Sequence, residues 1–323
     1  MSYVLIVDGA RTPMGGLLGD LADATANELG TTAIAATLER AGVAPEAVDE
    51  VFMGCVLPAG LKQCPARQAM LAAGIPSTTG AVTINKACGS GMQATIFGID
   101  SIAAGTNQLV VSGGLESMSN APQILMTGRK GQRLGHTKLF DHMFIDGLED
   151  AYTGAAMGTF AQKTADAHNL TREDMDAFAI ESLTRAQRAI DEGLNVKEIA
   201  PVTIHTRRGE HTCRWTSSHT RPTSRKFRSY VRRLPKAAPL RQLIPALSLM
   251  APAPCCLLAK MPRQAMASSR VPASWRMPET AWHLRISRSP PSARQNRFWP
   301  KQAGLLLTSI CGRSMKLSLW SPC

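Results

Sequence analysis

A short turn that carries a cysteine joins an apolar strand-like segment to a helical pattern, and this junction constrains the fold more than any other stretch. Residues 85–92 are Asn-Lys-Ala-Cys-Gly-Ser-Gly-Met, and the apolar residues 81–84 precede them. After the turn, apolar residues recur at helical spacing and define one predicted helix face: Met92, Ile96, Ile99 and Ala103. Strands that pass directly into helices are typical of parallel α/β sheets. The sequence therefore predicts that Cys88 lies at the junction between the carboxyl end of a strand and a helix.

This position suits a nucleophilic cysteine. The free N–H groups and the positive end of the following helix favour a thiolate, and the adjacent glycines let a substrate approach the backbone closely. An inert buried cysteine in a tight turn is the alternative, because most free cysteines are small core residues. The turn taken alone leaves both interpretations open for Cys88.

The wider sequence favours the nucleophile, because several segments resemble motifs of the thiolase family in the family's order. The Cys88 turn resembles the thiolase nucleophile motif. The other segments are Val-Asp-Gly-Ala-Arg-Thr-Pro at 7–13, Gly-Gly-Leu-Glu-Ser-Met-Ser at 113–119, residues 143–150, and Ala-Met-Gly-Thr at 156–159. The resemblance covers about residues 1–212.

The predicted elements of this part alternate between strands and helices. We expect strands at 3–7, 51–57, 81–84 and 108–112, and helices at 25–41, at 67–73 and after Cys88. Such alternation predicts an α/β fold with a parallel sheet covered on both faces. The resemblance implies a thiolase-like layered fold, with residues 1–119 as the N-terminal half that carries the nucleophile.

Residues 120–212 are expected to form a loop domain and the return to the N-terminal half. Regular periodicity fades from about residue 120 to 166, where basic residues stand among glycines, as suits a loop over a phosphate-bearing ligand or an ordinary solvated loop. A helix is predicted from Thr171, and a strand at 202–204. The resemblance implies that the loop covers the pantetheine arm of coenzyme A and that Leu148 and Met157 contact it. Many thiolases have histidine before this methionine, where the chain has Ala156.

Composition changes abruptly after Thr212. Residues 1–212 contain 16 basic and 23 acidic residues, whereas residues 213–323 contain 20 basic residues and one acidic residue. The later part also holds all five tryptophans and 13 of the 20 prolines, without a sustained hydrophobic period. We refer to residues 213–323 as the basic tail. It is expected to form no domain and to be unstructured or misfolded, because its prolines interrupt helices and its apolar residues follow no pattern.

A shifted reading frame explains the basic tail. Codons permitted for residues 310–320, read two bases later, give Leu-Trp-Glu-Ile-Asn-Glu-Ala-Phe-Ala-Val, which is similar to the thiolase asparagine motif. The same shift over residues 239–250 permits Val-Thr-Ala-Ala-Asn-Ser-Ser-Ala-Leu-Ser-Asp, which is similar to another thiolase loop. The two segments occur in family order and at about family spacing. We therefore interpret the tail as an out-of-frame reading of the same gene.

The resemblance implies an acyltransferase of the acetyl-CoA C-acetyltransferase type, which carries the acyl group on Cys88. Acyl-CoA would be the substrate, with no covalently bound cofactor and no metal, and relatives form dimers or tetramers. The family's remaining catalytic groups are a Gly-His-Pro histidine, a second cysteine and the asparagine motif, none of which is present as written. This chain is therefore expected to be inactive.

Two alternatives remain. A ketoacyl-synthase-like condensing enzyme also places a cysteine at a strand-to-helix junction, although residues 89–91 and 116–119 fit thiolases better. A non-catalytic protein could instead bind nucleic acid non-specifically through the basic tail, with affinity that falls steeply with salt. We expect no specific nucleic-acid partner.

The other cysteines and histidines are assigned no catalytic role. Cys55 and Cys64 are expected to be structural, the remaining cysteines lack a glycine setting, and His205 and His211 are expected at the surface. The cysteines show neither a disulfide framework nor metal-ligand spacing, so reduced thiols are predicted. No secretory or membrane segment is evident, and the expected location is the cytoplasm.

Overall fold

The computed structural model describes residues 3–131, 134–207 and 209–214, followed by five strands between residues 249 and 317. The helices of the described part are α1 (Ala26–Ala41), α2 (Pro65–Ala72), α3 (Ser90–Ala104), α4 (Met157–Ala167) and α5 (Arg172–Asp191). The first nine strands are β1 (Tyr3–Ala10), β2 (Gly15–Gly16), β3 (Glu50–Gly54), β4 (Gly80–Ile84), β5 (Leu109–Gly114), β6 (Gln123–Ile124), β7 (Phe140–Asp141), β8 (Val202–Thr206) and β9 (Gly209–Cys213). Those of the basic tail are β10 (Leu249–Met250), β11 (Cys255–Met261), β12 (Trp282–Ser287), β13 (Gly304–Ser309) and β14 (Ser314–Leu317).

Eight strands form one mixed sheet in the order β14-β13-β12-β1-β11-β5-β3-β4. Strand β3 is parallel to both of its neighbours, β4 and β5. The pairings of β11 with β1 and β5 are antiparallel. The carboxyl ends of β3, β4 and β5 consequently meet at one edge of the sheet, where ligand sites of α/β folds commonly lie.

Helices cover both faces of the sheet. Helices α1 and α2 pack on one face, in a core that includes Ile34, Met70 and Met53. Helix α3 packs on the other, where Ile99 and Ile102 meet Phe52 of β3. The α/β layered architecture expected from the alternating pattern is confirmed.

Local sequence signals set the bounds of α1. The Thr25 side chain accepts a hydrogen bond from the Glu28 N–H while Glu28 accepts one from the Thr25 N–H, which is a capping box. Gly42 ends the helix in the left-handed conformation. Leu29, Ile34 and Leu38 lie on the inward face of this helix and are all buried.

The face of α3 that packs on the sheet differs from the predicted one. Met92 is 43% exposed and Ala103 is also exposed, whereas Ala94, Gly98 and Ile102 join Ile99 on the buried side. A Cβ at Gly98 would lie 2.8 Å from Leu258 Cδ1, so the helix approaches the sheet through its small residues. Close approach, rather than side-chain hydrophobicity, selects this face.

Other predicted elements are confirmed with shifted ends. The second predicted strand ends at Gly54 instead of residue 57, because Glu116 binds the N–H groups of Val56 and Leu57. Helix α4 falls within the region where regular periodicity fades, so the loop expected to reach Asp166 ends at Ala156. Helix α5 begins at its predicted cap, but Phe178, predicted to face inward, is 77% exposed.

One segment of the basic tail belongs to the centre of the sheet. Strand β11 lies between β1 and β5, and Cys255, Leu257 and Leu258 on it are fully buried. This differs from the expectation that the tail adds no regular structure. Five consecutive residues of low polarity, 255–259, give the segment enough apolar surface for a fully buried strand despite the tail's composition. Outside its five strands, the tail beyond Arg214 lies outside the described residues.

Among the described residues, no helix is both long and apolar enough to cross a membrane.

Candidate functional site

The Cys88 turn begins with a kink in the backbone immediately before the cysteine. Strand β4 ends at Ile84, and Ala87 adopts a φ of +46°, a left-handed value that side chains with a Cβ rarely take. Gly89 then leads directly into α3. Cys88 is exposed at this point, immediately before the helix. The structure therefore places Cys88 where the sequence predicted, at a strand-to-helix junction open to solvent.

Ser90 braces the turn from inside. Its buried hydroxyl accepts a hydrogen bond from the Lys86 N–H at 2.8 Å and donates one to the Ala87 carbonyl at 2.6 Å. The start of α3 also lies directly against the end of β3, since a Cβ at Gly54 would be 2.5 Å from the Ser90 carbonyl carbon. Glycine at position 54 is what allows this approach.

Asn85 connects the turn to the neighbouring segment Cys55–Ala59. Its Oδ1 accepts a hydrogen bond from the Ala87 N–H at 2.9 Å, and its Nδ2 donates to the Val56 carbonyl at 3.3 Å. One side chain thus contacts both the kinked residue before Cys88 and the segment that follows β3. Asn85 belongs to the motif around Cys88, but the sequence alone indicates no role for its side chain.

Glu116 binds the same segment from the end of β5. Its carboxylate accepts hydrogen bonds from the Val56 N–H at 2.7 Å and the Leu57 N–H at 3.1 Å, and the Cys55 thiol lies 3.8 Å away. Burial raises the pKa of Glu116, against the lowering effect of these donors. The motif at 113–119 therefore has a physical role, which is to hold the loop beside the Cys88 turn.

Cys55 lies inside this arrangement and is unsuited to attack a substrate. It is 2% exposed, and burial followed by the nearby Glu116 charge raises the pKa of its thiol to about 12. Its backbone N–H continues the strand ladder by donating to the Ile84 carbonyl. The expectation that Cys55 is structural agrees with its burial. Cys64 is exposed, so burial does not account for it.

A histidine and an aspartate extend the contacts toward the loop domain. The ring Nε2 of His142 accepts a hydrogen bond from the Ala59 N–H at 3.3 Å, which leaves Nδ1 to donate to Asp146 at 2.7 Å. A π-helical turn, Phe144–Leu148, follows, and its Gly147 faces Leu57. His142 is buried, and the sequence analysis did not single it out because no local pattern marks it.

The two residues expected to contact coenzyme A lie near each other. Glu149 and Ala156 form an antiparallel bridge, and the Asp150 N–H donates to the Ala155 carbonyl at 2.9 Å. Leu148 and Met157 flank that bridge, so they occupy opposing positions across it. Leu148 is half-buried and Met157 is 42% exposed at the start of α4. The segment Cys55–Ala59 lies between this loop and the Cys88 turn.

The remaining motif residues have structural partners. Arg11 pairs with Glu198 at 2.9 Å, and Arg40 donates to the Glu198 and Ile199 carbonyls, which ties the N-terminal motif to the return segment. His205 and His211 are exposed on the β8–β9 hairpin, as expected. His205 lies 3.1 Å from Glu210.

No group of three or more His, Cys, Asp or Glu side chains in the described part of the chain is placed to hold a metal ion. Six cysteines of this part are free thiols: Cys55, Cys64, Cys88, Cys213, Cys255 and Cys256. Burial raises the pKa of both Cys255 and Cys256, the latter to about 11. Cys311 and Cys323 lie outside the described residues. Cys88 is therefore the exposed thiol that precedes a long helix.

Comparison with known proteins gives a consistent result. Residues 4–229 match the family model of the thiolase N-terminal domain. Acetyl-CoA acetyltransferase 2 of Arabidopsis thaliana is 48% identical over 206 residues, which cover 64% of this chain and 51% of the relative. The acetyl-CoA acetyltransferase of Cupriavidus necator is 48% identical over 210 residues, or 65% of this chain and 53% of the relative. The acetyl-CoA acetyltransferase ERG10, cytosolic, of Gibberella zeae is 48% identical over 207 residues, which cover 64% of this chain and 52% of the relative.

Two solved structures are also similar. An acetyl-CoA acetyltransferase from Syntrophomonas wolfei matches with a TM-score of 0.72 and 31% identity, over 83% of this chain and 67% of that one. The Acat5 thiolase from Ascaris suum, solved in complex with coenzyme A, matches with a TM-score of 0.71 and 30% identity, over 87% of this chain and 70% of that one. The structural matches thus extend further along the chain than the sequence matches. The chain spans about half the length of the curated relatives it matches.

Proposed function

Because this chain belongs to the thiolase family, we propose that Cys88 is its acyl-accepting nucleophile and that the gene's complete product is an acetyl-CoA C-acetyltransferase. The observation that carries the proposal is the exposed Cys88 thiol immediately before α3, in a turn braced by Ser90 and Asn85. The family match favours thiolase over a ketoacyl synthase as the origin of this turn.

The proposed acyl transfer begins with the Cys88 thiolate. The thiolate attacks the carbonyl carbon of an acyl-CoA thioester, a new carbon–sulfur bond forms, and the bond to the coenzyme A sulfur breaks. The leaving thiolate of coenzyme A then takes a proton. Cys88 is exposed just before α3, so the carbonyl carbon of an acyl-CoA can reach its sulfur. In the condensation direction the acyl group then passes from Cys88 to the α-carbon of a second acyl-CoA, which loses a proton. In the thiolysis direction the Cys88 thiolate instead attacks the 3-keto carbon of a 3-oxoacyl-CoA, the bond between carbons 2 and 3 breaks, and carbon 2 takes up a proton to release acetyl-CoA. Free coenzyme A then accepts the acyl group from Cys88.

The acyl-CoA is proposed to lie along the loop domain. Leu148 and Met157 flank the Glu149–Ala156 bridge and present apolar surface, which suits the pantetheine arm of coenzyme A. The similar Acat5 thiolase was solved in complex with coenzyme A, which supports this assignment. Residues 1–119 would supply the nucleophile, and residues 120–212 would cover the bound acyl-CoA.

A shifted frame after Thr212 is part of the proposal, and strand β11 supports it. One choice of permitted codons for residues 254–260, read two bases later, gives Val-Leu-Leu-Ala-Arg-Gln, so the shifted frame is able to encode an apolar strand there as well. Strand β11 occupies the place between β1 and β5 with Leu257 and Leu258 fully buried. We infer that the chain as written retains this strand by the overlap of two apolar readings and lacks the groups that activate Cys88. It would show no turnover by itself.

The experiment compares the chain as written with a version whose frame is corrected by one base near codon 212 and extended to the natural stop. The repaired protein should cleave acetoacetyl-CoA, and intact mass should show an acetyl group on Cys88. Cys88→Ser should abolish both, while Cys64→Ser, which removes another exposed thiol, should leave both unchanged. An acetyl group on Cys64 alone, or an inactive but folded repaired protein, would contradict the proposal. Activity of the uncorrected chain near that of the repaired one would contradict the frame interpretation.

The assembly and location follow as further proposals. Strand β4 ends the sheet order, and its Val82 is 41% exposed, so we propose that a second copy pairs along it to form a dimer, and that two dimers form a tetramer. Sedimentation of the repaired protein tests this, and a monomer would contradict it.

A cytoplasmic location is proposed, supported by the cytosolic relative of Gibberella zeae. Fractionation of cells that express the repaired gene would test it.

A further inference from the structure

We propose that Asn85 is a positioning residue for Cys88, and that it acts by tying the Cys88 turn to the clamped segment Cys55–Ala59. The inference rests on the nucleophilic role proposed for Cys88. Asn85 does not touch the reacting atoms in this scheme. Its amide fixes the backbone that presents the thiol.

The oxygen and the nitrogen of the Asn85 side-chain amide make two different hydrogen bonds. The Oδ1 atom accepts the Ala87 N–H at 2.9 Å and closes a turn around residue 86. Ala87 holds a φ of +46°, a left-handed value that is unfavourable for a residue with a Cβ, so the kink needs such a local partner. The Nδ2 atom donates to the Val56 carbonyl at 3.3 Å, outside the turn. The first bond shapes the turn, and the second fixes its place.

The anchor at Val56 is itself held firmly. The Val56 and Leu57 N–H groups both donate to Glu116, and the Ala59 N–H donates to His142. Three backbone donors of one five-residue segment are therefore bound by side chains from β5 and the loop domain. His142 in turn hydrogen-bonds to Asp146, which lies in the π-helical turn of the loop domain. Through the segment Cys55–Ala59, Asn85 therefore also connects the Cys88 turn to the loop domain, which is proposed to cover the acyl-CoA.

Asn107 provides a matched control. Its Nδ2 also makes two bonds, to Glu50 at 2.7 Å and to Ser101 at 3.2 Å, and it is buried. Asn107 precedes β5, whereas Cys88 follows the carboxyl end of the parallel strand β4, so the two lie at opposite ends of the sheet. Replacing either asparagine by alanine removes two hydrogen bonds of a side-chain amide, but only the change at Asn85 is expected to affect Cys88.

The test measures the rate of iodoacetamide labelling of Cys88 relative to Cys64 in the full chain, peptide by peptide, at fixed pH. Cys64 is exposed at the start of α2 and serves as the internal reference. Asn85→Ala should lower the ratio about fivefold, the size of one typical hydrogen-bond contribution. It should also speed amide hydrogen exchange in a peptide that spans residues 86–90. Asn107→Ala should change neither.

Asn85→Ser separates positioning from general stability. A serine hydroxyl can accept the N–H two residues on, but it is too short to reach Val56. The labelling ratio of Asn85→Ser should therefore stay near that of Asn85→Ala, because the tie to Val56 is still missing, while amide exchange at residues 86–90 returns toward the wild-type rate. An unchanged ratio and unchanged exchange in folded Asn85→Ala, or a serine variant with the wild-type labelling ratio, would overturn the proposal. If wild-type Cys88 reacts no faster than Cys64, the nucleophile assignment fails, while the exchange measurement still decides the role of Asn85.

Discussion

Cys55 and Cys88 follow two adjacent parallel strands at the same edge of the sheet, yet they have opposite environments. Gly54, the last residue of β3, pairs with Ile84, the last of β4. Cys55 continues the ladder and is buried beside a carboxylate, whereas Cys88 comes after a left-handed kink and is exposed before a helix. Position at a strand end therefore does not decide whether a cysteine is exposed. The few residues that turn the chain out of the sheet decide it.

The largest expected difference is in labelling of the two thiols. With a pKa of about 12, roughly one Cys55 thiol in ten thousand is ionised at pH 8, against about a quarter of ordinary exposed thiols. We expect iodoacetamide to label Cys55 about a thousandfold more slowly than Cys88 in the folded chain. Quantitative mass spectrometry checks this, with the denatured chain as the control in which the two rates converge. Comparable rates in the folded state would remove the distinction.

Gly54→Ala should disturb both cysteines at once. The added Cβ would lie 2.5 Å from the Ser90 carbonyl carbon and 2.6 Å from the Gly91 nitrogen, which are backbone atoms that cannot move aside cheaply. We expect a loss of about 3 kcal/mol of unfolding free energy, measured by urea denaturation. Gly42→Ala tests the same change where a Cβ would meet nothing within 4 Å, although its φ of +62° makes that variant strained as well. Equal losses at both glycines would contradict a specific role for the close approach at Gly54.

Glu116→Gln should loosen the segment that separates the two cysteines. A glutamine offers one acceptor oxygen to the Val56 and Leu57 N–H groups and turns an NH₂ toward the other donor, which costs about 2 kcal/mol of stability. Denaturation at pH 7 measures the loss, with Glu46→Gln on the short turn Pro45–Ala47 as the surface control.

The same pair of variants gives a pH test. Burial raises the pKa of Glu116, so the folded state holds its proton more tightly than the unfolded state does. The contribution of Glu116 to the stability of the wild type should therefore be fully present below the ordinary carboxyl range and be lost as pH rises through the raised pKa. The contribution of Glu116 to the pH dependence of the unfolding free energy should be absent from Glu116→Gln and unchanged in Glu46→Gln. A slope identical in both variants would show that Glu116 is not its source.

Cys55→Ala is expected to have the smallest effect. The substitution removes a weak S–H contact with Glu116 at 3.8 Å and leaves a small cavity, for a loss of about 1 kcal/mol or less. Thermal denaturation measures this, and the labelling rate of Cys88 should stay unchanged. A large fall in Cys88 labelling would mean that the two cysteines are coupled more directly than their separate environments indicate.

Much of the fold could be predicted because its signals are local. The helix from Thr25 is marked by its capping residues and by Gly42, and the strand before Cys88 by its apolar run and the glycines that follow. The packed face of α3 could not be predicted from hydrophobicity. Gly98 and Ala94 face the sheet because the helix approaches closely, and such closeness depends on the strands beneath.

The site shows the same division. The place of Cys88 is evident from the turn, but the clamp beside it joins residues far apart in the chain. Glu116 binds Val56 across 60 positions, and His142 binds Ala59 across 83. No local pattern encodes such pairs, since each partner is an ordinary polar or backbone group until the fold brings them together.

By itself, the sequence determined that residues 1–212 form alternating strands and helices and that a cysteine stands at one strand-to-helix junction, because periodicity and turn residues act over a few positions. Tertiary structure alone decided that β11, from a tail of different composition, lies between β1 and β5. It also decided that Cys55 is buried whereas Cys88 is exposed. A strand's neighbours and a thiol's burial depend on which distant surfaces need covering. That is a property of the assembled sheet, where the free energy of burial is shared among segments rather than encoded in any one of them.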